Sequence, residues 1–309
     1  MPQGDSIKTP RRGGLGARLA GLMRPRPQAR LLPLSRLAEG NRVATEAAIR
    51  ALAGATPFAG NLLLCRALGR YKVFLDAADL SFAPHLAADG YWEWWTTRFL
   101  ASTLRPGEQV IDVGAGIGYF TLLMADLVGP QGRVLALEPN PQAAALLRRN
   151  LQLNGFAGRS SVEEAAVAAS GGRLLRLAVP PGSPLDAHLL PQDQDPATPR
   201  PGEAPGRLLV RGRRLDELDV GAVDFVRLDV GDALAAAWEG MQRLLAERPA
   251  LRMLLGFEPH RMAQPAGFLD AVAARFALRR LLPDGTATAC TAAELLGGGQ
   301  ATLFLAKAG

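Results

Sequence analysis

The sequence predicts an α/β protein in which a mainly parallel sheet is covered by helices on both faces. Two observations indicate this class. Short apolar stretches alternate with helical patterns from residue 109 to residue 305, and a glycine-rich turn joins the first of these strands to the first of these helices. With 309 residues, the chain is long enough for one large hydrophobic core and a small accessory unit.

A basic leader is predicted at residues 1–36. It carries eight Lys or Arg side chains and a single acid, whereas residues 37–309 carry 27 basic and 28 acidic groups. We expect a mobile leader. The alternative is a leader that makes a weak contact with an anionic membrane surface or with nucleic acid. Because the rest of the chain has no basic excess, specific nucleic-acid binding is not predicted.

Residues 37–105 are predicted to be mostly helical, with Asn41 as the cap of a helix that ends at Gly54 and a short strand at 71–75. Residues 106–309 form the predicted α/β domain. Its strands and helices are expected in this order: strand 109–113, helix 117–128, strand 133–138, helix 141–153, strand 223–229, helix 233–247, strand 251–258, helix 268–276, and closing strands 278–282 and 301–305.

A proline-rich insertion at 180–206 interrupts this alternation. It contains eight prolines, and proline fixes φ and removes a backbone donor, so the stretch is not expected to join the sheet. We expect a flexible surface insertion, and the alternative is a lid over the substrate.

The strongest chemical signal is a glycine loop that follows the first strand of the alternation. Gly114, Gly116 and Gly118 permit a tight turn and a close approach of the backbone to a ligand. The spacing is G-x-G-x-G and not the G-x-G-x-x-G of a dinucleotide site, which disfavours a nicotinamide dehydrogenase. Asp112 stands two residues before the loop. Glu138 ends the next strand, where a carboxylate can bind both hydroxyls of a ribose.

These residues resemble the FkbM family of S-adenosylmethionine-dependent O-methyltransferases. The similarity covers roughly residues 90–306. The matching stretches are Ile111–Thr121, Gly132–Asn140, Asn150–Gly155, Gly90–Glu93, Arg214–Leu218, Val223–Asp229 and Leu255–Glu258. The resemblance implies a Rossmann-like class I methyltransferase fold, with a seven-stranded sheet whose last strand is antiparallel, and S-adenosyl-L-methionine as the cofactor.

The resemblance also implies a set of cofactor-binding residues. The loop and Asp112 would border the methionine moiety, Glu93 would face its end, Glu138 would hold the ribose, and Glu164 would reach the adenine. The implied set is Glu93, Asp112, Gly114, Ala115, Gly116, Gly118, Tyr119, Glu138, Pro139, Asn140 and Glu164.

Transfer of a methyl group to an alcohol requires a group that removes the proton of the acceptor. Asp229, at the end of the fourth strand, is the first candidate, and a structural Asp is the alternative. The family has an Asp-Val-Glu-Gly-x-Glu run here, whereas this chain has Gly231 and Leu234 in place of both glutamates. Asp232 and His260 are further candidates, although Asp232 could instead cap a helix and His260 could be an ordinary loop residue.

Four aromatic residues around Glu93 (Tyr91, Trp92, Trp94 and Trp95) predict core packing, or else a wall for the acceptor. Three histidines and two cysteines have no metal-ligand spacing, and no metal is predicted. No apolar run resembles a signal peptide or a membrane span, so a cytoplasmic protein is expected.

The predicted activity is O-methylation of a hydroxyl on a saccharide or secondary metabolite. The alternative is a cofactor-binding regulator or an inactive paralogue. A nucleic-acid N-methyltransferase is disfavoured because the fourth strand is not followed by an Asn/Asp-Pro-Pro-aromatic run.

Overall fold

The computed structural model describes residues 31–190, 207–219 and 221–307, so most of the predicted leader lies outside the described residues. Leu32 is already buried and a helix begins at Leu34, so packed structure starts before the predicted boundary at residue 36. The elements up to residue 105 are α1 (Leu34–Glu39), α2 (Arg42–Arg50), β1 (Ala55–Pro57), β2 (Leu62–Ala67), β3 (Tyr71–Asp76), α3 (Ala83–Ala88) and α4 (Trp94–Thr103).

The region before the α/β domain contains a three-stranded antiparallel sheet in the order β1-β2-β3, and it is therefore less helical than the sequence predicts. The side chain of Asn41 caps α2 as expected, because Oδ1 accepts a hydrogen bond from the N–H of Ala44 at 3.1 Å. The strand β2 was not predicted, because a short continuous apolar run such as 62–65 has no periodicity that distinguishes a strand from a helix.

From residue 106 onward the elements are β4 (Gln109–Val113), α5 (Tyr119–Leu127), β5 (Arg133–Leu137), α6 (Pro141–Leu153), β6 (Ser160–Glu163), β7 (Ala166–Val167), β8 (Leu174–Ala178), β9 (His188–Leu189), β10 (Arg207–Arg213), β11 (Phe225–Leu228), α7 (Leu234–Glu239), α8 (Gln242–Glu247), β12 (Arg252–Phe257), α9 (Pro265–Ala273), β13 (Arg279–Leu281), β14 (Ala287–Ala289), α10 (Ala292–Gly297) and β15 (Ala301–Leu305).

The central sheet has the strand order β14-β13-β15-β12-β11-β4-β5-β6. The five strands from β12 to β6 pair in parallel, and β15 pairs antiparallel with β12. This arrangement confirms the predicted Rossmann-like sheet with an antiparallel last strand. A hairpin between β13 and β14 adds an eighth strand to the seven that were expected.

Both faces of the central sheet are buried, which is why its strands read as apolar runs rather than as alternating patterns. Val110 of β4 belongs to one core cluster, together with side chains of α5 and α6. Its neighbour Ile111 belongs to a second cluster on the opposite face, together with side chains of α7, α8 and α9. The carboxyl ends of the parallel strands, where chain connections leave the sheet, are thereby held at one edge.

Asn150 of α6 and Asn154, the residue that follows this helix, join the three-stranded sheet to the central domain. The side-chain amide of Asn150 accepts from the N–H of Phe74 at 2.7 Å and donates to its carbonyl at 3.0 Å. Asn154 makes the same pair of bonds with the backbone of Lys72, at 2.9 and 2.7 Å. The amides satisfy the outer edge of β3, so this sheet is fixed against α6.

Part of the proline-rich insertion is ordered beside a second, four-stranded sheet of order β7-β10-β8-β9. His188 and Leu189 form β9, which pairs antiparallel with β8, so the insertion does contribute to a sheet, although not to the central one. Residues 191–206 lie outside the described residues.

The predicted helix at 233–247 is divided into α7 and α8 at Gly240. A side chain at this glycine would overlap the carbonyl oxygen of Ala168, so the close approach of these two backbones requires glycine here. In the part of the chain that the structure describes, no helix is both long and apolar enough to span a bilayer.

We expect Gly118→Ala to destabilise the fold. Gly118 has φ of +93° at the start of α5, and a Cβ there would overlap the Leu147 side chain of α6. Left-handed backbone and overpacking each cost about 1–3 kcal/mol. Urea unfolding measures the change, and Gly158→Ala is the matched control, because nothing lies within 4 Å of its Cβ position. Equal unfolding free energies for the two variants would contradict this account.

Candidate functional site

A cavity of about 370 Å³ opens at the carboxyl ends of β4, β5 and β11. Its volume lies within the range of about 300–1,000 Å³ that is usual for small-molecule sites. In an open parallel sheet, ligands bind at this edge, because the loops that leave the strands there form a crevice. The described residues that line the cavity come from the glycine loop, from the ends of the three strands, from the segment around Glu93 and from residues 185–189.

Each glycine of the loop is required for a different steric reason. Gly114 has φ of +77°, and a Cβ on it would overlap the carbonyl oxygen of Asp229 at the end of β11. Gly116 has φ of +55° and faces the cavity, where the side chain of Leu185 lies 3.3 Å from its Cβ position. Gly118 does not line the cavity and instead lets α5 pack closely on α6. Two of the three predicted glycines therefore border the cavity directly.

Glu138 follows β5 and holds the glycine loop in place. Its Oε2 accepts a hydrogen bond from the N–H of Gly116 at 2.7 Å, and its Oε1 accepts one from the N–H of Asn140 at 2.8 Å. Burial raises the pKa of Glu138 to about 7, although these two hydrogen bonds oppose the shift. A carboxylate has about four lone-pair positions, so capacity for ribose hydroxyls remains on the cavity side.

A buried guanidinium joins the two central strands below the cavity. Arg227 of β11 lies beside Asp112 of β4 in the parallel register, and its Nη1 donates to Asp112 Oδ1 at 2.9 Å. Its Nη2 donates to Asp229 Oδ2 at 2.5 Å. The guanidinium also lies 4.4 Å from the ring centroid of Phe120. Burial lowers the pKa of Arg227, but the charges of Asp229 and Asp112 outweigh burial and keep that pKa above its ordinary value.

Asp112 is fully buried and does not line the cavity. Its second oxygen, Oδ2, accepts a hydrogen bond from the hydroxyl of Thr121 at 2.6 Å. Its effect on the site therefore passes through Arg227. Asp229 lines the cavity with a side chain that is 38% exposed, whereas the side chain of Arg227, which also lines the cavity, is 6% exposed.

Glu93 contributes a carboxylate to the cavity from outside the central sheet. It precedes α4 with φ of +39° and ψ of 75°, and it shares this left-handed conformation with Leu68 alone among the non-glycine residues of the described chain. Such a conformation costs about 1–3 kcal/mol and is concentrated at functional sites. The hydroxyl of Thr96 donates to its Oε2 at 3.0 Å.

The aromatic residues around Glu93 divide between core and cavity. Trp94 is buried in the core, as the commoner prediction has it, whereas Trp92 lines the cavity in an edge-on contact with Phe82, with ring centroids 5.4 Å apart. The hydroxyl of Tyr119 accepts a hydrogen bond from the N–H of Trp92 at 3.0 Å. This bond fixes the segment before α4 over the start of α5.

Several residues predicted for the site lie away from the cavity. Asn140 caps α6, because its Oδ1 accepts from the N–H of Gln142 at 3.0 Å. Glu164 forms an exposed ion pair with Arg148, while the next three residues, 165–167, do line the cavity. Of the residues predicted to bind the cofactor, those that do line the cavity are Glu93, Gly114, Ala115, Gly116, Tyr119, Glu138 and Pro139.

The two alternative candidates for the base are also outside the cavity lining. Asp232 lies 3.7 Å from Arg261 and does not cap α7, which begins without any side-chain cap. His260 has a side chain that is 67% exposed, with its Nε2 3.7 Å from Glu258. Of the three candidates, the structure brings only Asp229 to the cavity.

Two arginines of the site were missed from the sequence. Arg227 could have been found, because a single basic residue inside a buried apolar strand requires acidic partners nearby. Arg261 lines the cavity from the turn after β12, and nothing in its local sequence distinguishes it from a surface residue. Its guanidinium carbon lies 2.7 Å from the Cβ position of Gly231.

Comparison with known proteins identifies the type of domain. Residues 70–169 match the family model of the TRM5/TYW2 methyltransferase domain. Protein-L-isoaspartate O-methyltransferases are similar over short stretches. That of Aeropyrum pernix is 52% identical over 54 residues, which is 18% of this chain and 21% of that protein. That of Ignicoccus hospitalis is 43% identical over 82 residues, which is 26% of this chain and 35% of that protein.

The chain therefore spans about a fifth to a third of the length of these relatives. Among solved structures, a SAM-dependent O-methyltransferase from Thermotoga maritima is 16% identical, with a TM-score of 0.39 over 70% of this chain and 65% of that one. A ribosomal protein L11 methylase from Lactobacillus delbrueckii subsp. bulgaricus is 12% identical, with a TM-score of 0.40 over 69% and 77% of the two chains. We assign the fold from the strand order and not from these low scores.

The matched region contains the glycine loop and Glu138, and it is similar to methyltransferase domains. This similarity supports S-adenosyl-L-methionine as the cofactor, and the cavity beside the glycine loop is the candidate site for it. The residues fit it, since Gly116 leaves room for close contact, the free lone pairs of Glu138 can accept from ribose hydroxyls, and the carboxylates complement a cation. No group of His, Cys, Asp and Glu suited to a metal ion occurs among the described residues.

We expect Glu138→Ala to weaken binding of S-adenosylhomocysteine about 10- to 100-fold, because hydrogen bonds to a charged group contribute about 1.5–3 kcal/mol. Titration calorimetry measures the affinity. Glu164→Ala is the matched control and should leave it unchanged, because this side chain pairs with Arg148 away from the cavity. A larger loss for Glu164→Ala than for Glu138→Ala would refute the assignment.

We expect Arg227→Met to lower the free energy of unfolding by about 3–5 kcal/mol at neutral pH, because it leaves Asp112 buried without its counter-charge. Chemical denaturation followed by circular dichroism tests this. Arg148→Met removes an exposed ion pair and should cost less than about 1 kcal/mol. A cost for Arg227→Met no greater than that of the control would show that the buried pair does not support the sheet.

Proposed function

We propose that this protein is an O-methyltransferase that transfers the methyl group of S-adenosyl-L-methionine to a hydroxyl of a saccharide or secondary metabolite. The observation that carries the proposal is the hydrogen bond between the Glu138 carboxylate and the N–H of Gly116, at the edge of a methyltransferase-type sheet. The cavity beside this hydrogen bond continues past Asp229 to Glu258.

The choice of acceptor is supported by the resemblance of the motifs to the FkbM family. The match to isoaspartate O-methyltransferases supports transfer to oxygen, although their acceptor is a protein. A flat aromatic face also suits a sugar ring, and Trp92 is among the residues that line the cavity. We therefore propose that the acceptor binds between Trp92 and the end of β11. We also propose that the protein is cytoplasmic and that its basic leader makes at most a weak contact with a membrane surface.

The cofactor supplies an activated methyl group on a sulfonium centre, so the protein has to align the acceptor and exclude water. Glu138 and the glycine loop orient the nucleoside. Phe82 and Trp92 cover the cavity on the side of the N-terminal region, and Leu185 covers it on the side of the insertion. Asp229 and Glu93 place carboxylates where the acceptor enters.

A second candidate function is a cofactor-binding regulator without transferase activity. The observation that favours it is the loss of both glutamates of the family run. Leu234 is packed in the core, and the space beside Gly231 is filled by the guanidinium of Arg261. Neither position can supply a carboxylate to the cavity.

Calorimetry and a transfer assay test both proposals. We expect S-adenosylmethionine and S-adenosylhomocysteine to bind more tightly than NAD, and methyl label to pass from S-adenosylmethionine to a panel of glycosides and hydroxylated metabolites. Tighter binding of NAD would overturn the cofactor site. Binding of the adenosyl ligands without transfer to any acceptor, including an isoaspartyl peptide, would favour the regulator.

A further inference from the structure

We infer that Glu93 accepts the proton of the methyl acceptor and so replaces, from the N-terminal region, the carboxylates that are missing from the run 229–234. This inference rests on the proposed function. It assigns the catalytic base to a residue that sequence reasoning places at the methionine end of the cofactor, and it removes Asp229 from that role.

Both carboxylate oxygens of Asp229 are held by the surrounding structure. Its Oδ2 accepts a hydrogen bond from Nη2 of the buried Arg227 at 2.5 Å. Its Oδ1 lies over the backbone of Gly256, 2.8 Å from the Cβ position of that residue. Asp229 is therefore engaged in the ion pair with Arg227.

Glu93 has the opposite surroundings. Within the described part of the chain, no cation forms an ion pair with it, and the one hydrogen bond of its carboxylate is the bond that Oε2 accepts from Thr96. Oε1 thus stays free at a residue that lines the cavity. The strained backbone at Glu93 is maintained by the bond between Trp92 and Tyr119 on its N-terminal side and by α4 on its other side.

Burial and the charges around Glu93 bring its pKa close to neutral pH. Burial raises the pKa of Glu93 to about 7, and the negative charges of Asp229 and Glu258 add to this shift, while Arg227 and the hydrogen bond from Thr96 oppose it. Arg261 is the other cation that lines the cavity. A carboxyl group that titrates near the working pH is well suited to general base catalysis.

The reaction balances without any further reagent. The acceptor oxygen forms a bond to the methyl carbon as the carbon–sulfur bond breaks, and the electron pair of that bond stays on sulfur, which becomes a neutral thioether. The hydroxyl proton passes to Oε1 of Glu93 and then to solvent, which restores the carboxylate.

The test uses Glu93→Gln in the full chain, with labelled S-adenosylmethionine and the same glycoside and metabolite panel. We expect the transfer rate to fall at least about 100-fold, as general bases contribute about 10²–10⁴. Affinity for S-adenosylhomocysteine should stay within about threefold of the wild type. An affinity loss as large as that of Glu138→Ala would make Glu93 a cofactor ligand and overturn the inference.

The pH profile separates a base from a structural residue. In the wild type, kcat/KM for the cofactor should rise with pH and level off above about 7, because only the carboxylate accepts a proton. Asp229→Asn removes a neighbouring negative charge and frees Arg227, so the midpoint should move down. Thr96→Val removes a hydrogen bond to the carboxylate, so the midpoint should move up. Midpoints that do not move, or that move in the same direction, would overturn the inference.

An infrared pH titration with bound S-adenosylhomocysteine provides a readout that needs no acceptor. In the wild type, carboxylic acid C=O absorbance should disappear as pH rises through about 7, with contributions from Glu93 and Glu138. Glu93→Gln should lack the Glu93 contribution, which is the part of the wild-type band that is missing from the spectrum of the variant. A variant spectrum that retains the whole wild-type band would overturn the inference. If the wild type methylates none of the panel, the proposed function itself fails, whereas transfer by Glu93→Gln at the wild-type rate contradicts this inference alone.

Discussion

The geometry of the site depends on one buried guanidinium. Arg227 lies between the two central strands and binds Asp112 on one side and Asp229 on the other. Burying one of these charges without the others would be strongly unfavourable, so the three groups form a unit. Because Asp112 immediately precedes the strand end that leads into the glycine loop, the same unit aligns that loop with the end of β11. The cavity is the space above this unit.

The N-terminal region completes the cavity, and it does so through backbone contacts. Asn150 of α6 and Asn154 at its C-terminal cap bind the edge of β3 as a neighbouring strand would, and Tyr119 at the start of α5 binds the segment before α4. These contacts bring the strained residue Glu93 to the sheet edge. The region therefore forms a wall of the site and supplies one of its carboxylates.

The end of β11 differs from the run of the FkbM family that the sequence resembles, and the cavity is nevertheless present. Gly231 adopts φ of +51°, and the space that a side chain would occupy is filled by Arg261, which lies between Asp232 and Glu258. A glutamate at this position would collide with that guanidinium. Glu138 and the amide of Gly116, in contrast, are joined directly by a hydrogen bond.

Much of the cofactor end could be predicted from the sequence, and the acceptor end could not. The turn from β4 into α5 and the cap of α6 are local features, because positive φ, proline and a capping side chain act within a few residues. For the same reason, the strands 109–113 and 301–305 and the helix 141–153 have the predicted bounds. At the other predicted elements, the small differences between the predicted and the observed bounds reflect fraying of the element ends.

The sequence by itself determined most of the strands and helices of the central sheet, the glycine loop and the carboxylate that supports it. Only the tertiary structure decided which acids meet the cavity. Asp112 and Arg227 are 115 residues apart, and their pairing depends on the lateral register of two strands. Glu93 reaches the site through the docking of an entire sheet on α6. Long-range packing of this kind leaves no periodic signal, so residues such as Asp112 and Glu164, which look similar to site residues in the sequence, take structural roles instead.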